Sequence, residues 1–308
     1  MSAGHSPHPQ LSPVVLCLGE VIADLVCESA LEPGKRPHEF VPHAGGALAN
    51  VAVAASRAGA PAAFIGGVGD DETGEWLLAG LRDEGVGVDW VATVEGADTP
   101  IALVAFDAAR EPRFQVYGEH IGSTMAATAH NLAPAIGASA ALVIGSNTMV
   151  GETERLITEE AVELAHSHGV PILFDPNYRP NRWGADIASV HCRSLAAESA
   201  VIKCNRMEAE LITGLADPAE AARRLARMGP RLAVVTDGAG AVVTAGAAEV
   251  SYLPEEAEVI SPLGAGDSFM GALAAGLAGL DWDFSRVAEI LPAATRAAAE
   301  TCGRWSAQ

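Results

Sequence analysis

Gly264-Ala265-Gly266-Asp267-Ser268-Phe269-Met270-Gly271-Ala272-Leu273 joins a glycine-rich turn to an apolar run. Two glycines around a small residue let the backbone turn tightly and approach a ligand with no Cβ in the way. Phe269, Leu273 and Leu277 recur at i, i+4 and i+8, one apolar stripe of a helix. The amides of that first turn and the positive end of the helix dipole converge on the loop, an arrangement suited to phosphate. A carboxylate at Asp267 repels a bound anion unless it has a task there. Taking the proton from a hydroxyl that attacks a phosphoryl group is such a task. From this stretch alone, a plain helix start with Asp267 near its cap fits equally well.

The chain around this turn alternates strand-like and helix-like segments. Val14-Val15-Leu16-Cys17-Leu18, Ala62–Ile65, Ala141–Ile144, Ile172–Phe174, Ala200–Ile202 and Leu232–Val235 are continuous apolar runs of the kind that strands buried on both faces show. Between them, Asn50–Ala58, Gly74–Glu84, Glu152–His168, Met207–Thr213 and Pro218–Met228 read as helices. This alternation predicts an α/β fold, a mostly parallel sheet with helices on both faces. Two stretches break the rhythm: the short His38–Pro42, and Ile101–Phe106 with Arg113–Tyr117 around a turn at Asp107–Pro112. Strands with no helix between them predict a small β flap within about residues 31–46 and 99–120, suited to act as a lid. An edge extension or a dimer contact fits the same pattern.

Bulk properties narrow the partners. Nineteen Lys and Arg against 39 Asp and Glu leave a net charge of −20, which repels nucleic acid and anionic membrane. An anionic ligand needs a local site of amides, magnesium or a few basic groups. The five cysteines (Cys17, Cys27, Cys192, Cys204, Cys302) are scattered, with no zinc spacing, and fit a reduced cytoplasm. Residues 1–13 carry three prolines and two histidines without a basic start or apolar core, and read as a disordered tail before one domain at 14–308. No apolar segment is long enough to span a membrane.

Several polar clusters follow the predicted strands. Asp24 comes after the first apolar run, where an open α/β sheet binds its ligands, and a solvated loop carboxylate is the plainer alternative. Gly45-Gly46-Ala47-Leu48-Ala49-Asn50 opens a helix of small residues, and Asn50 offers both donor and acceptor to a polyol or simply caps the helix. Asp175-Pro176-Asn177-Tyr178-Arg179-Pro180 sets a carboxylate, an amide and a guanidinium in a stiffened loop. Arg179 suits a phosphate or transition-state charge, or else a surface salt bridge. Lys203-Cys204-Asn205-Arg206-Met207-Glu208 enters a helix, with Glu208 complementing its dipole or lying near hydrated magnesium. Thr236-Asp237-Gly238-Ala239-Gly240 closes a hairpin or exposes amides to a nucleotide.

Together, from about Val14 to Cys302, these elements resemble the PfkB, or ribokinase-like, carbohydrate kinases. Gly45-Gly46 with Asn50, Gly59, Phe64–Asp71 and Gly74 is similar to that family's first motif. Gly264-Ala265-Gly266-Asp267 with Gly271 is similar to its second, and Asn205-Arg206-Met207-Glu208 to its N-x-x-E element. The resemblance implies a three-layer α/β/α sandwich with a small β lid, and ATP-dependent phosphorylation of a sugar hydroxymethyl group. It implies Asp267 as base, the amides of Gly264, Ala265 and Gly266 as anion hole, and Arg179 beside the reacting centre. Asp24, Gly45, Gly46, Asn50 and Asn177 would bind the sugar. Asn205, Thr236 and Gly238 would serve ATP, and Glu208 would reach Mg²⁺ through water. Lid strands of such kinases can pair across a homodimer, which the apolar Ile101–Phe106 would suit.

Asp175–Pro180 with Trp183, and Gly145-Ser146-Asn147, look like the fructokinase and 2-keto-3-deoxygluconate kinase branch. Fructose is the leading substrate. The sugar acid is the alternative, with Arg113 and Arg179 as candidates for its carboxylate; ribose, a nucleoside, or a weakly catalytic binding role also fits the family. The chain departs from the pattern at Leu48, where relatives often carry proline, and at Tyr117-Gly118 near the lid. Ser261-Pro262-Leu263 lacks the carboxylate and hydroxyls that lead into the anion hole and are associated with a monovalent cation, so potassium activation is left open.

Overall fold

Each long apolar run is hydrophobic on both faces, so it is satisfied only in a sheet covered twice by helices. The computed structural model describes residues 14–30, 35–108, 110, 112–118 and 120–308. The tail expected at 1–13 lies outside them. In chain order the first strands are β1 (Val14–Leu18), β2 (Ile22–Ala30), β3 (Val41–Gly45), β4 (Ala62–Ile65) and β5 (Gly67–Gly69). Then come β6 (Val86–Gly87), β7 (Ala92–Val94), β8 (Ile101–Phe106), β9 (Pro112–Tyr117) and β10 (Ser139–Gly145). The last are β11 (Ile172–Asp175), β12 (Val201–Asn205), β13 (Leu232–Thr236), β14 (Val242–Gly246) and β15 (Ser251–Tyr252).

The main sheet has the order β15-β14-β13-β12-β11-β10-β1-β4-β6. It is parallel from β13 through β6, and β14 and β15 add antiparallel at one edge. Side chains alternate across it into two cores. Val15, Cys17, Val143 and Val234 meet Leu48, Phe269, Leu273 and Leu291 on one face. Leu16, Leu142, Phe174 and Ile202 meet Ile136, Val162, Leu195 and Leu225 on the other. The fold is a three-layer α/β/α sandwich. The register sets Gly145 opposite Asp175 and Asn205 opposite Thr236, so the carboxyl ends form one rim.

A second sheet, β3-β2-β8-β9, stands against this rim. Val26, Ala102, Val104 and Phe106 pack its inner side on Leu263, with Trp305 alongside. The hairpin pairs antiparallel from Ile101–Tyr117 to Phe106–Pro112. The expected boundaries need correction. β2 begins at Ile22, well before 31, and Asp24 therefore lies within a strand rather than in a loop after β1. β3 starts at Val41, so His38–Phe40 is not strand, while 31–34 lie outside the described residues. Acidic residues interrupt β2, and it follows β1 with no helix between, so its pattern reads as a continuation of the preceding loop.

Several helices also escaped the periodic reading, among them Ala185–Glu198 and the alanine-rich Leu291–Cys302, whose small side chains give little contrast between faces. Asp71, part of the glycine-rich first motif, proves structural: it caps the helix Glu72–Asp83 by accepting from Gly74 N and also accepts from Thr99 N, each at 2.7 Å. Leu48 fills the space between the ends of β1 and β10 that Gly19 and Gly145 leave open. Leu273, fully buried in the helix Ala265–Gly279, ties the helix that carries Asp267 to the sheet. Leu273→Ala is expected to cost about 3 kcal/mol in urea unfolding, the usual scale for a core leucine cavity.

Candidate active site

Gly264 turns the chain into the helix Ala265–Gly279 with φ of 79°, a left-handed conformation that glycine adopts freely. A side chain there would also collide with Ala307. Of the three amides expected in the anion hole, that of Ala265 donates to Pro262 O at 3.3 Å. Those of Gly264 and Gly266 have no protein acceptor among the described residues. The turn thus retains two free donors at the positive end of a helix.

Asp267 follows them in the first turn, buried and held from both sides. Asn50 Nδ2 donates to Oδ2 at 2.9 Å, and Asn177 Nδ2 donates to Oδ1 at 2.8 Å. Three separate elements meet here: the helix Ala47–Arg57, the loop after β11 and the helix Ala265–Gly279. Asn177 adopts φ of 43°, a conformation asparagine tolerates better than most residues. Gln308 Nε2 donates to Asn50 Oδ1 at 2.8 Å, which turns the Asn50 amide group toward Asp267. Burial pushes the Asp267 carboxyl from 3.8 up to about 6; Asn50 opposes the shift, Asp175 adds to it, and Arg179 and Lys203 oppose it. Such a group is ionised at neutral pH yet basic enough to take a proton.

Asp267 lines a narrow pocket of roughly 50 Å³. Glu20, Asp24, Asn50, Asn147, Arg179 and Arg182 supply its polar wall, while Phe114 and Val116 of β9 press in from the second sheet. Gly45 brings β3 against the Asp24 carboxylate, and Gly46 begins the helix below. Burial raises Asp24 to about 7, Arg179 opposes this, and Asp267 and Glu20 add to it. Burial also raises Glu20, against the fields of Arg182 and Arg179. Four buried acceptors here have no partner among the described residues: Glu20 Oε2, Asp24 Oδ1, Asn147 Oδ1 and Asn177 Oδ1. The Arg179 guanidinium lies 5.0 Å from the Phe114 ring centroid, and Asn181 donates to Phe114 O at 2.7 Å.

The same glycine turn, through Ala265 and Gly266, also borders a largely apolar cavity of about 290 Å³ bounded by Val242, Val259, Phe269 and Cys302. Thr236 and Gly238 line it as well. Asn205 and Glu208, expected to serve ATP and Mg²⁺, also bind each other. They form a reciprocal cap on the helix Arg206–Thr213: Glu208 N donates to Asn205 Oδ1 and Asn205 N to Glu208 Oε2, both at 2.9 Å. Tyr178 N donates to the other Glu208 oxygen at 2.8 Å, so Glu208 also pins the Asn177 loop. Arg113 is exposed, pairs with Asp107 at 3.3 Å and does not line the narrow pocket, so it is corrected out of the candidates for a substrate carboxylate.

Sequence reading missed Glu20, Arg182, Lys203 and Gln308. A lone lysine inside the apolar strand β12 was a usable signal; nothing local marks Gln308, which reaches Asn50 from the far end of the chain. The pfkB family carbohydrate kinase model matches residues 13–308. The chain belongs to this family. This PfkB kinase is 33% identical over 271 residues to a fructokinase of Klebsiella pneumoniae, covering 84% of each chain. It is 32% identical over 266 residues to Fructokinase-1 of Oryza sativa subsp. japonica, covering 85% of this chain and 82% of that one. The crystal structure of a fructokinase with bound ATP from Xylella fastidiosa superposes with a TM-score of 0.80 at 26% identity, covering 96% and 93% of the two chains. The PfkB kinase is accordingly a phosphotransferase acting on a sugar hydroxyl. Among the described residues no helix is long and apolar enough to cross a membrane.

With Asp267 as the base that the family resemblance implies, turnover is expected to fall as acid protonates it. The kcat of the PfkB kinase is expected to drop below pH of about 6, close to tenfold per unit, in a pH series at saturating substrate. The sugar-limited rate, kcat/KM, drops from nearer pH 7, because Asp24 titrates there in the empty pocket.

Proposed function

We propose that this kinase transfers the γ-phosphoryl group of ATP to a hydroxymethyl group of fructose, with Asp267 as the base. The observation that carries the reading is that Asp267, held by Asn50 and Asn177, lines a polar pocket while Ala265 and Gly266 just before it line an apolar cavity. A hydroxyl approaching from the pocket side meets the carboxylate. A phosphate approaching from the cavity side meets the amides of Gly264 and Gly266. Little covalent chemistry is then asked of the chain beyond alignment, charge stabilisation and exclusion of water.

The polar pocket favours a neutral polyol. Its fully buried unpartnered atoms, Glu20 Oε2, Asp24 Oδ1 and Asn147 Oδ1, are acceptors, which need donors such as hydroxyls. Glu20, Asp24 and Asp267 face Arg179 and Arg182 there, and burial raises all three carboxyls toward their neutral forms, so sugar hydroxyls meet both donors and acceptors on this wall. The pocket is too small for a hexose as it stands, since small-ligand sites hold roughly 300 Å³ or more. The second sheet therefore acts as a lid: Phe114 and Val116 must lift to admit the sugar, and they exclude water once it is bound. The apolar cavity suits an adenine ring.

Mg²⁺ fits as an ion carried by phosphates and water. Among the described residues no three His, Cys, Asp or Glu side chains gather to hold a metal. Glu208, with an amide on each oxygen, reaches it through water. When bound, Mg²⁺ neutralises charge on the phosphates. The Ser261 hydroxyl accepts the Leu263 amide at 3.1 Å, so this lead offers little to potassium. The free cysteines, four of them buried, support a cytoplasmic setting. The outward face of the lid, with Ile101, Leu103 and Ala105 half-buried, supports pairing of two copies.

Sugar-dependent ADP release tests the reading. Fructose is expected to give the highest kcat/KM in a panel with 2-keto-3-deoxygluconate, ribose and a nucleoside. Asp267→Asn is expected to lower kcat at least about 100-fold while still binding ATP, the scale of a lost general base. A sugar acid preferred over fructose overturns the substrate; undiminished turnover by Asp267→Asn overturns the base.

A further inference from the structure

Lys203 is a charged residue in a strand that otherwise reads as core. Val201, Ile202 and Cys204 beside it are buried, and Lys203 itself is only 3% exposed. Its ammonium donates to Asp175 Oδ2 at 2.9 Å, and the two side chains are 4% exposed each. That is its one hydrogen bond among the described residues, so two of its three N–H groups remain for other partners. The ammonium also stands 2.9 Å from where a Cβ on Gly266 would sit. A residue other than glycine at 266 would push the lysine away; the glycine makes room for a cation directly behind the turn.

A buried ion pair seldom earns its place through stability, since apolar residues of similar size fill such a site as well or better. Its use must be sought in its charge. Desolvation works against the charged form of Lys203, but Asp175 and Glu208, with a smaller contribution from Asp267, outweigh it and hold the ammonium above the usual lysine range. The groups bearing on Asp267 include Asn50, Asn177, Asp175, Arg179, Lys203 and, from β2, Asp24. Lys203 is the cation among them fixed within the fold, since Arg179 lies on a loop and leans on the lid at Phe114. In a chain of net charge −20, a fixed positive charge at the turn changes what the turn can hold.

We propose that Lys203 is a positioning residue for phosphoryl transfer: anchored by Asp175, its ammonium stands behind Gly266 as the fixed cation of the anion hole and complements the negative charge that builds there. The inference rests on the assignment of the turn at Gly264–Asp267 as anion hole and base. Lys203 stays protonated throughout and neither gives nor takes a proton. Its effect is strongest in the transition state, where charge on the transferring group is greatest, so it acts on kcat more than on the sugar KM.

The test compares Asp175→Asn with the double variant Asp175→Asn/Lys203→Met. Neither leaves a buried Asp175 carboxylate unpaired, and thermal melting checks that both fold. The double variant is expected to turn over fructose with a kcat at least about tenfold below that of Asp175→Asn, with a sugar KM within about threefold of it. Equal kcat in the two overturns the proposal, and so does a loss confined to KM. Lys203→Met alone gives a second reading if the double variant fails to fold. Its kcat falls and its acid limb moves to higher pH, because Asp175 still raises Asp267 and nothing at 203 opposes it. An unchanged kcat with an unmoved limb overturns the proposal as well. Failure of the base assignment shows separately, as an active Asp267→Asn, and the comparison at 203 can be read on whichever sugar the enzyme accepts.

Discussion

A carboxylate buried at the amino end of a helix is the constraint from which the rest of this molecule follows. Burial makes the Asp267 carboxylate more basic, and it makes the ionised form costly. The rise from 3.8 to about 6 corresponds to about 3 kcal/mol against folding at neutral pH. The contribution of this group to stability is full below the ordinary carboxylate range and is lost as pH rises through about 6. That cost is what remains after Asn50, Arg179 and Lys203 have lowered it, and these groups come from different segments of the chain. A wide, rigid sandwich is the means of holding those segments together.

The parallel sheet supplies that rigidity. Strands buried on both faces end along one rim, and the loops that leave them carry Glu20, Asn147, Asn177 and Asn205 to the same side. The loops are tied to one another rather than left free. Glu208 binds both its own helix start and the Tyr178 amide, and the Ser146 hydroxyl donates to the Pro176 carbonyl. Above this rim the four-stranded sheet is packed more lightly, on a small cluster around Leu263 and Phe106. An element with a small core opens more readily than the sandwich beneath it.

Much of this was readable from residue order. The double burial of six apolar runs announced a parallel sheet. The glycine turn before Phe269 announced a helix start able to hold an anion. Arg113 was misjudged because a basic residue near a predicted lid looks available to a substrate; in the folded chain its strand faces it outward, where it pairs with Asp107. The strand β2 was missed because Asp24 and Glu28 disguise its alternation. Asp24 is buried there only because the polar pocket faces it. The reach of Gln308 to Asn50, 258 positions apart, leaves no trace in local pattern.

By itself the sequence determined the fold class and the family, because hydrophobic period and glycine placement are local properties that a chain carries wherever it goes. Tertiary structure alone decided what each group does. Asn205 and Glu208 became a cap that also pins a neighbouring loop, Ala265 spent its amide on Pro262, and Lys203 came to rest behind Gly266. Those roles depend on distance and burial between segments remote in the chain. Charge and hydrogen bonding act over a few ångströms of space, and only folding brings such segments that close.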